Sequence, residues 1–196
     1  MIDVSQEKKA LRRDIHQRAG EMSIETRQLS DARLFAQFLA LPELLAAKNV
    51  LLFYGVDTEP DTKKLFPQLF SMGKRVFLPR CLPEWQMEVR EISPTSGFAV
   101  TKRGLFEPEE ACPLGEKGDI DLILVPNLCC DEAGYRLGQG GGFYDRYLQD
   151  YKGITTAVCR EALLQRSVPR QAHDRPVEII LTEKHVRRFR GQRAGN

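Results

Sequence analysis

Apolar positions along this chain change their spacing several times, and each change predicts an element. Residues 5–19 carry sparse apolar positions, Ala10, Leu11 and Ile15, among many charges, which predicts a helix with a narrow buried face. Ser23 is placed to cap a second helix with Glu25 in its first turn; Leu29, Leu34, Phe35, Phe38 and Leu39 form its apolar stripe. Pro42 suits the first turn of a short third helix. The continuous apolar run over 50–54 predicts a buried strand. Residues 61–72 read as an amphipathic helix with Leu65, Phe66, Leu69 and Phe70 inward, disturbed near its start by Pro67 and ended by Gly73. Residues 75–78 give the next strand, and alternation over 87–92 gives a half-exposed one. Residues 94–117, rich in Pro, Gly and charge, predict a long loop with at most one short strand. Strands over 120–125, 154–159 and 178–181, and helices over 144–151 and 161–166, complete the order.

Strands alternating with helices predict an α/β fold: a mostly parallel sheet with helices on both faces, the N-terminal helices packed at one side, a three-layer sandwich. One domain is expected over 1–196, with N-terminal helices at about 5–47, an α/β core at about 49–183 and a basic tail at 184–196. In such folds ligands bind beyond the carboxyl ends of the strands.

Composition narrows the classes of function. The net charge of +2 is too small to argue for nucleic acid, and no apolar run approaches the ~20 residues of a membrane span. A cytosolic monomer is expected, and Arg187, Arg188, Arg190 and Arg193 read as a solvated basic tail. The cysteines, Cys81, Cys112, Cys129, Cys130 and Cys159, form no CxxC pair; reduced thiols are expected, with Cys159 in the core.

The chemistry concentrates at Arg136-Leu137-Gly138-Gln139-Gly140-Gly141-Gly142-Phe143-Tyr144-Asp145-Arg146, where four glycines fall within five positions. A glycine-rich loop entering a helix lets backbone N–H groups approach a phosphate. Lys-Ser/Thr does not follow the glycines, so this is not a P-loop, and no acidic residue follows at the dinucleotide-binding distance. Glu59 ends the first strand's loop, Asp131 precedes a turn at Gly134, and His173-Asp174 and Glu178 surround the last strand's start. Lys8, Lys9, Arg12 and Arg13 read as a solvated helix face unless that helix folds back over the loop.

Lys8-Lys9-Ala10-Leu11-Arg12, Glu59-Pro60-Asp61-Thr62 and the run from Pro126-Asn127 through Asp131-Glu132-Ala133-Gly134-Tyr135-Arg136 to Asp145-Arg146 together resemble the 5-formyltetrahydrofolate cyclo-ligase family, in order from about Lys8 to Glu183. The sequence departs from that pattern at Val56, Asn127, Cys130, Phe143 and Glu178. The resemblance implies an ATP- and magnesium-dependent ring closure of 5-formyltetrahydrofolate through a phosphorylated formyl oxygen. It implies Lys8, Lys9, Ala10, Leu11 and Arg12, with Arg136, Leu137, Gly138, Gln139, Gly140, Gly141, Gly142, Phe143 and Tyr144, as the ATP site. Arg12, Tyr54, Glu59 and residues Gln139 to Phe143 would meet the folate. Arg136, Tyr144 and Lys9 would serve catalysis, and Asp145 and Glu178 would hold magnesium. Two other readings stay open on the sequence: a folate- or nucleotide-binding regulatory homologue without turnover, and an enzyme of the sugar-phosphate isomerase kind.

Overall fold

The computed structural model describes residues 3–101 and 104–189. Three helices open the chain, α1 (Val4–Glu21), α2 (Ile24–Leu39) and α3 (Pro42–Ala46). The Ser23 hydroxyl accepts from the Thr26 amide and so caps α2. Next come β1 (Asn49–Leu51), α4 (Phe66–Ser71), β2 (Arg75–Cys81) and β3 (Met87–Ile92). Short strands β4 (Phe98–Val100), β5 (Phe106–Pro108) and β6 (Leu114–Gly115) precede β7 (Leu122–Leu124). A hairpin of β8 (Cys129–Cys130) and β9 (Arg136–Leu137) then leads to α5 (Phe143–Tyr147), β10 (Ile154–Val158), β11 (Ile179–Leu181) and β12 (Val186–Arg188).

The main sheet has the order β12-β11-β10-β7-β1-β2-β3-β6. From β11 to β2 the strands run parallel. β12 and β3 join antiparallel at either side, and β6 pairs antiparallel with β3. The register pairs Val50 with both Val76 and Leu122, so alternate side chains of neighbouring strands share a face. One face (Val50, Leu52, Val76, Leu78, Leu122, Ile179) meets Leu34, Phe35 and Phe38 of α2, Leu44 of α3 and Leu69 of α4. The other (Leu51, Phe77, Ile123, Ala157, Ile180) meets Tyr147 and Leu148 at the end of α5. Helices cover both faces, as the strand–helix alternation predicts. Each fully buried Leu or Phe removes enough apolar surface from water to contribute ~1.5–3 kcal/mol.

α1 sits apart from these two layers. Its Ile15 and Ala19 pack on Leu128, Cys129, Leu137 and Leu163. It therefore rests on the β8–β9 hairpin, which sets the turns before Ile15 over the glycine loop.

Several elements depart from the expectations. Residues 61–72 form a 3-10 turn, Thr62–Leu65, followed by the short α4, with Pro67 in the first turn because it has no N–H to give a preceding turn. The helix expected over 161–166 is one 3-10 turn, Glu161–Leu163, and that over 144–151 is the five-residue α5. Residues 94–117 hold three short strands instead of at most one. Leu29 is 61% exposed, because the buried face of α2 runs through Ser30, Asp31, Leu34, Phe35 and Phe38. The basic tail is structured through β12: Arg188 donates to Glu43 at 2.8 Å and Arg187 to Glu132 at 3.2 Å, so these two arginines are paired. Arg190 and Arg193 lie outside the described residues. Among the described residues no helix is long and apolar enough to cross a membrane.

Candidate active site

The loop after β1, the turn after β2 and helix α1 all meet the glycine-rich segment between β9 and α5. The loop after β1 owes its shape to Thr62. The Thr62 hydroxyl donates to the Phe53 carbonyl and accepts from the Gly55 amide, so residues 53–62 close on themselves. Gly55 is required there, since a Cβ would lie 2.0 Å from the Pro60 carbonyl oxygen. This closure places Glu59 against the glycine loop, where its Oε1 accepts from Gln139 Nε2 at 3.4 Å and its Oε2 from the Val56 amide at 3.3 Å. Burial raises the Glu59 carboxyl above its ordinary value, against opposition from the Val56 N–H and Gln139.

α1 folds back over the same loop. Lys8 is 9% exposed, and its Nζ donates to Asp174 Oδ1 at 2.7 Å. One turn on, Arg12 Nε donates to the Gly138 carbonyl at 2.8 Å. Gly140 has φ +99°, and a Cβ there would lie 3.2 Å from the Arg12 guanidinium carbon. Lys8 and Arg12 thus leave the solvated face that their charge suggests, while Lys9, Ala10 and Arg13 are exposed. Of the α1 basic residues, the structure brings Lys8 and Arg12, not Lys9, into contact with the site.

Arg136 lies at the centre. Its side chain is buried, donating to Asp145 Oδ1 at 3.0 Å and to the Arg175 carbonyl at 2.9 Å. Asp145 and the Asp174–Arg175 segment therefore flank one guanidinium. Burial opposes ionisation of Asp174, but the Lys8 ammonium and the Gln171 N–H outweigh it and hold this carboxyl below its ordinary value. Glu178 is placed elsewhere. It precedes β11, and its Oε2 accepts from the Thr155 amide at 3.1 Å, at the amino end of β10. No contact links it to Asp145, Arg136 or the glycines among the described residues. The carboxylate of this segment that pairs with α1 is Asp174, whereas Glu178 bonds the Thr155 amide. Sequence spacing points to a carboxylate before the last strand but does not say which one.

Tyr144 is the other inward group of α5. Its hydroxyl oxygen is buried and has no hydrogen-bond partner among the described residues. Burial first, then Cys81 and Glu59 nearby, push its pKa up, and Arg136 opposes them weakly. The hydroxyl is thus a neutral donor and acceptor among Glu59, Cys81 and Arg136.

Aromatic rings line the rest. Tyr54 stacks on Phe106 at 4.8 Å between centroids and meets Phe98 at 5.4 Å, both from the β4–β5 arm, and the Lys63 ammonium lies 4.8 Å from its ring. Phe143 faces Trp85 at 5.6 Å, and the Gly141 carbonyl accepts from Arg146 at 3.1 Å. Phe98, Phe106 and Trp85 carry no local signal in the sequence; only the fold brings them here. Asn127 is buried, and its Nδ2 donates to the Val158 carbonyl at 3.0 Å, so this departure from the family pattern joins β7 to β10. Cys129, Cys130 and Cys159 are free and buried; burial pushes the Cys129 thiol up to about 12 and the Cys130 thiol well above its ordinary value. Cys129 and Cys130 therefore stay protonated, and all three act as core residues.

The model of the 5-formyltetrahydrofolate cyclo-ligase family matches residues 4–183. The 5-formyltetrahydrofolate cyclo-ligase of Escherichia coli K12 is 30% identical over 181 residues, covering 88% of this chain and 98% of its own. The probable 5-formyltetrahydrofolate cyclo-ligase of Schizosaccharomyces pombe is 27% identical over 200 residues, covering 93% and 98%. The NMR structure of Aquifex aeolicus 5,10-methenyltetrahydrofolate synthetase has a TM-score of 0.84 at 32% identity, covering 96% of each chain.

Proposed function

Because this chain belongs to the 5-formyltetrahydrofolate cyclo-ligase family, we propose that it closes 5-formyltetrahydrofolate to 5,10-methenyltetrahydrofolate with ATP and magnesium, releasing ADP and phosphate. The observation that carries this reading is that Arg12 and Glu59 both contact the glycine loop, which is flanked in the chain by Arg136 and the unpartnered Tyr144 hydroxyl, with Lys8 one turn before Arg12. Cations and glycine amides suit phosphates, and a carboxylate beside an aromatic wall suits a pterin.

The chemistry asks for this arrangement. A formyl oxygen on nitrogen is a poor leaving group. Transfer of the terminal phosphoryl group from ATP converts it to phosphate, a good one. The folate N10 then attacks the activated formyl carbon and gives up its proton, the C–O bond to phosphate breaks so that protonated phosphate leaves, and the five-membered ring closes. Phosphoryl transfer needs positioning and charge neutralisation more than covalent help. Lys8, Arg12 and Arg136 supply cations beside the loop, and Tyr144 can donate to the oxygen that carries charge. Glu59 can accept two N–H bonds from the aminopyrimidine edge, and Tyr54, stacked on Phe106, lies on the same loop after β1. Lys9, exposed here, has a role only if α1 shifts with nucleotide bound.

For magnesium we assign Asp145, which pairs with Arg136, and Asp174, which pairs with Lys8; the Glu178 carboxylate instead accepts from the Thr155 amide. The ion would neutralise the phosphates, holding one or two carboxylates and keeping several waters. Among the described residues no group of three or more His, Cys, Asp or Glu converges as a metal centre; magnesium bound with a nucleotide would need only one or two carboxylates.

The test is absorbance of the methenyl product with purified protein, 5-formyltetrahydrofolate, ATP and magnesium. A rise that requires all three establishes the reaction. No rise from folded protein that still binds the folate would favour a binding homologue and overturn the proposal.

A further inference from the structure

We propose that Arg160 and Asp31, a buried ion pair behind the site, are positioning residues that set affinity for the folate by holding the loop that carries Glu59. The inference rests on the reading that Glu59 meets the pterin.

Arg160 follows β10, and Asp31 lies on the inner face of α2. Their side chains are 2% and 6% exposed, and Arg160 Nη1 stands 2.8 Å from Asp31 Oδ1. The same nitrogen donates to the Arg27 carbonyl at 3.1 Å, and Nη2 to the Thr58 carbonyl at 3.5 Å. Asp31 Oδ2 accepts from the Asp61 amide at 3.0 Å. One guanidinium–carboxylate unit therefore grips the loop on both sides of Glu59, through Thr58 before it and Asp61 after it.

Stability alone is a poor account of this pair. Apolar residues of similar volume often serve a core as well as a buried ion pair does, because desolvation offsets the attraction. Apolar residues cannot bond Thr58, Asp61 and Arg27 in fixed directions. Glu59 itself has few constraints: its carboxylate is held by its own loop at Val56 and by the long bond to Gln139. A binding carboxylate misplaced by even 1 Å loses much of its value, so the loop's anchors control recognition. Lys8, Arg12 and Arg136 bond neither Arg160 nor Asp31 among the described residues, so the pair reaches the nucleotide side only through the long Glu59–Gln139 bond.

The experiment compares wild type with Asp31→Asn, which keeps the Asp61 acceptor but loses the charge. Arg160→Lys keeps the charge but cannot bond Thr58 and Asp31 together. Circular dichroism and melting establish folding, and calorimetry gives separate dissociation constants for 5-formyltetrahydrofolate and for ATP. The expected result is weakening of folate binding by about 10-fold or more with ATP binding within about 2-fold, and kcat at saturating folate changed less than KM. Equal losses for both ligands, unchanged folate affinity in a folded variant, or failure of both variants to fold would overturn the proposal. Wild type that binds ATP but no folate would instead refute the pterin reading itself and remove the proposal with it.

Discussion

Tyr144→Phe should stabilise the free protein and damage the enzyme, and the two effects have one cause. The hydroxyl is buried without a hydrogen-bond partner among the described residues. A hydroxyl taken from water and left unpaired costs ~1–3 kcal/mol by mutational measures. Phenylalanine keeps the ring and its packing and deletes that penalty. At about 1 kcal/mol, and with a chain of 196 residues, the melting temperature should rise by roughly 2–4 °C. During reaction the same hydroxyl meets a charged oxygen, and a hydrogen bond to a charged group contributes ~1.5–3 kcal/mol. Its loss should lower kcat/KM by about 10- to 150-fold. Saturating ligands should then stabilise the wild type more than the variant, narrowing or reversing the gap in melting temperature. Scanning fluorimetry with and without ligands, beside steady-state kinetics, measures both signs. A variant that melts no higher than wild type would refute the unpaired hydroxyl, and unchanged kcat/KM would refute its use in the reaction.

Folate affinity should fall as pH drops through the raised Glu59 pKa, at a higher pH than an ordinary glutamate near 4.5 would give, since the protonated carboxyl loses an acceptor; Glu59→Gln should flatten that limb in a calorimetric pH series. Because its folded pKa is raised, Glu59 favours the fold below its unfolded pKa and loses that contribution as pH rises through the folded one, so Glu59→Gln should melt higher than wild type at neutral pH. Asp145→Asn should cut magnesium-dependent turnover by about 100-fold or more with the fold intact, while Glu178→Gln, whose carboxylate accepts from the Thr155 amide, should stay within about 3-fold. A magnesium titration of both variants decides the assignment, and the reverse ranking would restore Glu178. Gly55→Ala, with its Cβ 2.0 Å from the Pro60 oxygen, should cost ~1–3 kcal/mol and raise the folate KM as the loop shifts; a variant with native melting and native KM would show that the loop yields freely.

Strand and helix periods are local properties of the chain, so the layered α/β architecture was legible in the order of its residues. The sequence by itself also determined the glycine loop, since conformational freedom belongs to the glycines themselves, and the cap at Ser23. The tertiary structure decided which charges matter. Lys8 meets Asp174 across 166 positions and Arg12 meets Gly138 across 126, and no local pattern separates Lys8 from Lys9 or Asp174 from Glu178. Arg187 and Arg188 look like tail residues until β11 offers an open edge and Glu132 and Glu43 offer partners. Asp31 is a charge on the buried face of α2 whose partner, Arg160, lies far along the chain. Propensity and period act over a few residues; desolvation and ion pairing act wherever the chain happens to meet itself.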